Sequence, residues 1–146
     1  MKELKFRVYD KQSNEMIYLE RPSTYDNGLW FKSDKHIDSN DIVIMQFTGL
    51  KDSTQFNELT KEEQENWLKD NQIEEWKGKE IFEGDIVDVE FDEDPKKIGR
   101  VVFESFGFFV KFENSGTISI LDIYGYDFNI KILGNIHQNS ELLEKK

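Results

Sequence analysis

The sequence predicts a mainly β protein, a β-rich α+β fold, from three observations. The first is Gly78-Lys79-Glu80-Ile81-Phe82-Glu83-Gly84-Asp85, a glycine-punctuated turn that runs into Ile86-Val87-Asp88-Val89-Glu90-Phe91. There Val87, Val89 and Phe91 point one way and Asp88 and Glu90 the other, as a half-buried antiparallel strand requires. The second is a succession of short alternating runs on both sides of this strand, each bounded by turn residues. The third is a single change of period between Asp52 and Trp76, where a helix is expected. Together they divide the chain into an N-terminal β region (1–52), a helix-containing insertion (53–77) and a C-terminal small β-barrel (78–146).

In the N-terminal region, Phe6-Arg7-Val8-Tyr9 and Met16-Ile17-Tyr18-Leu19 flank the turn-rich Asp10 to Asn14 and read as a hairpin. Arg21 to Gly28 reads as a loop from its Pro, Ser and Asn-Gly content. Leu29-Trp30-Phe31 and Ile42 to Phe47 supply further strands, joined by the polar segment Ser33 to Asn40. In the insertion, Thr60 and Glu63 match a capping box, in which hydroxyl and carboxylate each accept from the other's backbone N–H. A helix therefore starts there and stops near Asn71, with Trp67 and Leu68 as its apolar face. The C-terminal region reads as five strands: Ile86 to Phe91, Gly99 to Glu104, Phe106 to Phe112, a run carrying Ile118 and Ile120, and Phe128 to Ile132. Five short strands with one apolar face bury it economically by curling into a barrel, whose core should hold Val89, Phe108, Val110 and Ile130.

Composition narrows the function classes. The 146 residues, 14% of them aromatic, suffice for one core or two small adjoining ones. No apolar run approaches the roughly 18 residues that span a bilayer, and the N-terminus lacks a signal peptide's hydrophobic segment, so a cytosolic location and no membrane partner are expected. The absence of cysteine excludes disulfides and thiolate metal sites. A net charge of −11, with the basic residues scattered, argues against nucleic-acid binding, which needs a basic stripe to release counterions.

Chemical constellations are sparse. Asp92, Glu93 and Asp94, with Asp88, Asp122 or Asp127, offer oxygen ligands for a hard cation, yet lack the alternating spacing and glycine of a calcium loop. They read as a solvated turn. His36 and His137 have no partner at metal-ligand spacing and read as surface residues. Gly84-Asp85 before a valine-rich strand also resembles the entry strands of toxin endoribonucleases and serine-lysine peptidases. Its physical basis is general: glycine permits the turn and aspartate bonds a nearby amide. No Ser-Lys pair accompanies it, and Ser105 beside Phe106-Gly107 reads as a turn residue.

Four blocks carry a family resemblance. Phe6-Arg7-Val8-Tyr9-Asp10, Ile44 to Asp52, Gly78 to Val87, and Ile132-Leu133-Gly134-Asn135-Ile136-His137-Gln138-Asn139-Ser140-Glu141-Leu142-Leu143 resemble, in order, the signatures of the YopX-like phage protein family. The resemblance implies a phage or prophage gene expressed in the host bacterial cytoplasm. It implies no established activity, no catalytic residues and no cofactor. The segment Ser53 to Trp76 departs from the compact pattern, in which a tight turn would join the second and third blocks.

Tyr124-Gly125-Tyr126-Asp127-Phe128 is the candidate contact loop, because tyrosine buries large area at low entropy cost. Tyr124 and Tyr126 serve either as a partner-binding patch or as a plug for the barrel's open end; Trp30 carries the same two readings. The leading expectation is a non-enzymatic accessory protein that binds a protein partner, itself or a host protein. An acidic anti-host inhibitor occupying a nucleic-acid-binding site and a metal-dependent hydrolase at the acidic turn are the alternatives.

Overall fold

The computed structural model describes residues 5–19, 23–25, 28–30, 41–70, 76–91, 96–113, 116–126 and 128–143. Within these, strands dominate and form two main sheets. The expected hairpin is β1 (Phe6–Asp10) and β2 (Glu15–Leu19), paired antiparallel with Val8 opposite Ile17. Asn14 closes its turn at φ +59°, a conformation that asparagine tolerates. The expected loop Arg21 to Gly28 contains a strand: β3 (Ser23–Tyr25) pairs antiparallel with β4 (Gly28–Trp30), Tyr25 opposite Gly28. The connecting segment Ser33 to Asn40 lies outside the described residues.

The next strand, β5 (Ile42–Lys51), is longer than its apolar run predicts. Its first half pairs with β1 and its second half with β6 (Glu80–Phe82), through a register shift between Phe47 and Lys51, giving the sheet order β2-β1-β5-β6. After a 3-10 turn at Phe56–Glu58 comes α1 (Lys61–Asp70). The capping box forms as its residues dictate: Glu63 N–H donates to Thr60 Oγ1 and Thr60 N–H to Glu63 Oε1, both at 3.1 Å. Trp67 docks edge-on against Trp76, with ring centroids 5.1 Å apart, whereas Leu68 faces solvent and adds nothing to the apolar face.

The second sheet has the order β10-β9-β8-β7-β11, built from β7 (Asp85–Glu90), β8 (Lys97–Glu104), β9 (Gly107–Phe112), β10 (Gly116–Ser119) and β11 (Asn129–Asn135). The expected alternation holds: Val87, Val89, Val101, Val110 and Ile130 are buried in one cluster, joined by Ile81 from β6. Phe108 is only half-buried, since it lies near the protruding β8–β9 tip and meets Phe103 edge-on at 5.0 Å. The run carrying Ile118 and Ile120 is strand only to Ser119. Ile120 instead opens a helix, α2 (Ile120–Gly125), that connects the two edge strands and sends Ile120 and Ile123 into the core one turn apart. Ser105 and Phe106 both take positive φ in the tight β8–β9 turn, and Phe106 is fully exposed.

Candidate functional site

The two sheets meet around a buried ion pair. Arg7, from β1, and Asp85, at the start of β7, lie 2.7 Å apart and are almost wholly excluded from water. Each has further partners: Arg7 donates to the Glu83 carbonyl and lies over the Phe82 ring, while Asp85 accepts the Phe82 N–H at 2.8 Å. Burial pushes the Asp85 carboxyl up to about 6, against the opposing pull of Arg7 and the Phe82 amide. Gly84, at φ +88°, is required here, because a Cβ would stand 2.7 Å from Met45 Sδ. The aspartate that sequence assigns to a turn thus bonds a nearby amide, as expected, and also holds a charge from the first strand.

Asp52 makes a second junction. Its carboxylate accepts the N–H groups of Thr54, Lys79 and Ile132 and the Thr54 hydroxyl, so β5, the approach to β6, and β11 converge on one side chain. Asn135 makes a third, accepting the amides of His137 and Gln138, while Ile136 N–H donates to the Gly84 carbonyl. His137, expected at the surface, is instead half-buried and stacked on Tyr9 at 4.6 Å. Burial, with Arg7 and Lys11 nearby, lowers its pKa.

Beside these junctions is a cleft of about 650 Å³, the size range of small-molecule sites. All four sequence blocks reach it, through Arg7, Lys51, the stretch from Gly78 to Asp85, and Gly134-Asn135; α1 closes the other side with Trp67. Trp76 is held by its indole N–H, which donates to the Thr54 carbonyl at 2.8 Å. No local pattern announces this cleft, because its parts come from distant segments and only the blocks themselves mark them.

The expected contact residues lie elsewhere. Tyr126, at the C-terminal end of α2, is exposed, and its ring stacks on Phe128 at 5.6 Å. Phe128 in turn meets Phe91, and Phe91 meets Phe112, so an aromatic chain runs from Tyr126 into the core. Tyr124 is partly exposed, and its phenol pKa is raised, by burial first and then by Asp52. Trp30 belongs to β4, but its side chain lies outside the described residues, as do the acidic turn Asp92 to Asp94, Asp127 and His36. Among the described residues no cluster of His, Asp or Glu has the arrangement of a metal site, and no helix is long and apolar enough to cross a membrane.

Fold and site together define a mainly β protein in which two antiparallel sheets share a buried Arg–Asp pair and a cleft roofed by a short helix. A family profile described as "YopX protein" matches residues 57–144. The chain belongs to the YopX family. Its fold is similar over 98% of its length to the crystal structure of protein EF1440 from Enterococcus faecalis, covering 99% of that chain at 26% identity and a TM-score of 0.56. The crystal structure of protein yopX from Bacillus subtilis matches with the same coverages and TM-score at 18% identity. A search of curated proteins finds no match. The profile match begins inside the expected insertion and includes α1.

Proposed function

We propose that this chain is a non-enzymatic protein-binding module of a phage or prophage, acting through the surface of α2. The carrying observation is Tyr126, which is exposed although its ring is held by Phe128 at the head of an aromatic chain rooted in the core. An aromatic already fixed in place loses little conformational entropy on contact, and this favours its use as an anchor. Exposed Leu121 and partly exposed Tyr124, on the same helix, extend the apolar surface. The family resemblance supports the phage context, and the partner is another copy of the chain or a host protein.

The test is association. Sedimentation velocity of the purified protein, and quantitative capture from host lysate, should each be run with wild type and with Tyr126→Ala plus Leu121→Ala. The expected result is weakening of self-association, or loss of one specific captured protein, with the unfolding midpoint unchanged. Association that is indifferent to both substitutions would remove α2 as the contact surface.

A further inference from the structure

We propose that the cleft between α1 and the two sheets binds a small phosphorylated molecule bearing a planar ring, of mononucleotide type. Its site is separate from the α2 surface. Three properties of the cleft carry this assignment.

The first is its charge, in a chain whose net charge is −11. Lys5, Arg7, Lys51 and Lys79 line it together with Glu63, Glu80 and Asp85. Three cations are matched, Lys5 to Glu80 at 2.7 Å, Lys79 to Glu63 at 3.3 Å and Arg7 to Asp85 at 2.7 Å. Lys51 has no ion-pair partner among the described residues, so the lining carries a cation to spare. The lining is mixed in sign with one more cation than carboxylates, and an uncompensated cation beside low-dielectric walls attracts an anion.

The second is an unspent donor. Arg7 is 3% exposed, and its Nε–H has no hydrogen-bond partner among the described residues, although its Nη2 is fully engaged by Asp85 and Glu83. A buried donor left unpaired costs roughly 1–3 kcal/mol, and since Nε is itself closed to solvent an acceptor in the cleft would recover this through a small shift of the Arg7 side chain. The third is the aromatic wall. Trp67 and Trp76 cross at 88°, and the Thr54 carbonyl fixes the Trp76 ring before any ligand arrives. Fixed indole rings bind planar rings by stacking, without regard to substituent pattern.

Ring plus anion identifies the class. A phosphate monoester near neutral pH carries close to two charges and three acceptor oxygens, suited to lysine ammonium groups, which act on phosphate as point charges. A nucleic-acid strand is disfavoured, since its successive phosphates would meet the acidic remainder of the surface, whereas a mononucleotide places its charge in the cleft alone.

Calorimetry with AMP as the probe tests the assignment at low ionic strength, alongside adenosine, inorganic phosphate and a twelve-residue oligothymidylate. Saturable one-to-one AMP binding is expected, at least tenfold tighter than adenosine or phosphate alone. Trp67→Ala should weaken it about tenfold and Lys51→Ala about fivefold. Tyr126→Ala should leave it unchanged, and this separates the cleft from the α2 surface. Lys51 is partly exposed, so its variant keeps the test valid if the tryptophan variant fails to fold. Absence of AMP binding, equal affinity for adenosine and AMP, indifference to Lys51→Ala, or tighter binding of the oligothymidylate would each overturn the proposal.

Discussion

Arg7 and Asp85 show what one buried charge does to its neighbour. Because the folded-state pKa of Asp85 is raised to about 6, the native state holds a proton there that the unfolded chain has released. The contribution of this group to stability is therefore full below its unfolded value near 3.8 and is lost as pH rises through 6. Asp88, also raised chiefly by burial, slopes the same way, while Glu58 and Glu63, both lowered, slope oppositely at more acid pH. Removing the guanidinium should sharpen this dependence. Arg7→Met is expected to cost about 3–5 kcal/mol at pH 8, where it strands a buried carboxylate, and distinctly less at pH 5, where Asp85 is protonated. Urea midpoints at the two pH values check this; an equal loss at both would mean that Arg7 stabilises by packing over Phe82 rather than by charge.

At the scale of elements, α2 and the β8–β9 hairpin make opposite demands on sequence. Ile123→Ala in α2 should cost about 2–5 kcal/mol, since the side chain is wholly buried in the core, whereas Leu121→Ala should be within about 0.5 kcal/mol of wild type. A reversed order in chemical denaturation would mean that the helix is rotated on its axis. In the hairpin, Phe106→Gly should raise stability by about 1 kcal/mol, because a positive φ strains phenylalanine and the ring buries nothing. Unchanged or lowered stability would mean that the ring makes contacts worth more than the strain. These elements also explain what could be read beforehand. The capping box at Thr60 and Glu63 was legible because its donors and acceptors lie three residues apart. The core-facing Val87, Val89 and Val110 were legible because charged residues stand beside them, whereas the consecutive apolar pairs Ile86-Val87 and Phe108-Phe109 blur the faces of β7 and β9, and Phe108 is only half-buried. In contrast, α2 is too short to establish a period, and Ile118 and Ile120 continue the alternation of β10 into it. The cleft was illegible for another reason: Arg7, Lys51, Asp85 and Asn135 come together only through strand pairing across the whole chain, which no local pattern encodes.

At the scale of the molecule, the two sheets are interlocked by β6. This strand pairs with β5 in the first sheet, yet its Ile81 lies in the core of the second, and Asp85 follows it by three residues. A fragment of residues 1–77 therefore lacks both the strand that completes its sheet and the counter-charge for Arg7. It is expected to show collapsed amide dispersion in NMR and no cooperative thermal transition, and a sharp transition in that fragment would mean that the first sheet stands alone. The same interlock sets a schedule for synthesis, since a chain emerges from the ribosome N-terminus first. Until Glu80 to Asp85 have been made, part of one edge of β5 has no strand to pair with and the guanidinium of Arg7 has no carboxylate to meet. An unpaired edge is a template for the wrong strand, including one from a neighbouring nascent chain. Translation interrupted between Lys51 and Glu80 should thus release a sticky half-product, so the interval in which those codons are read is when this protein is most exposed to misassembly.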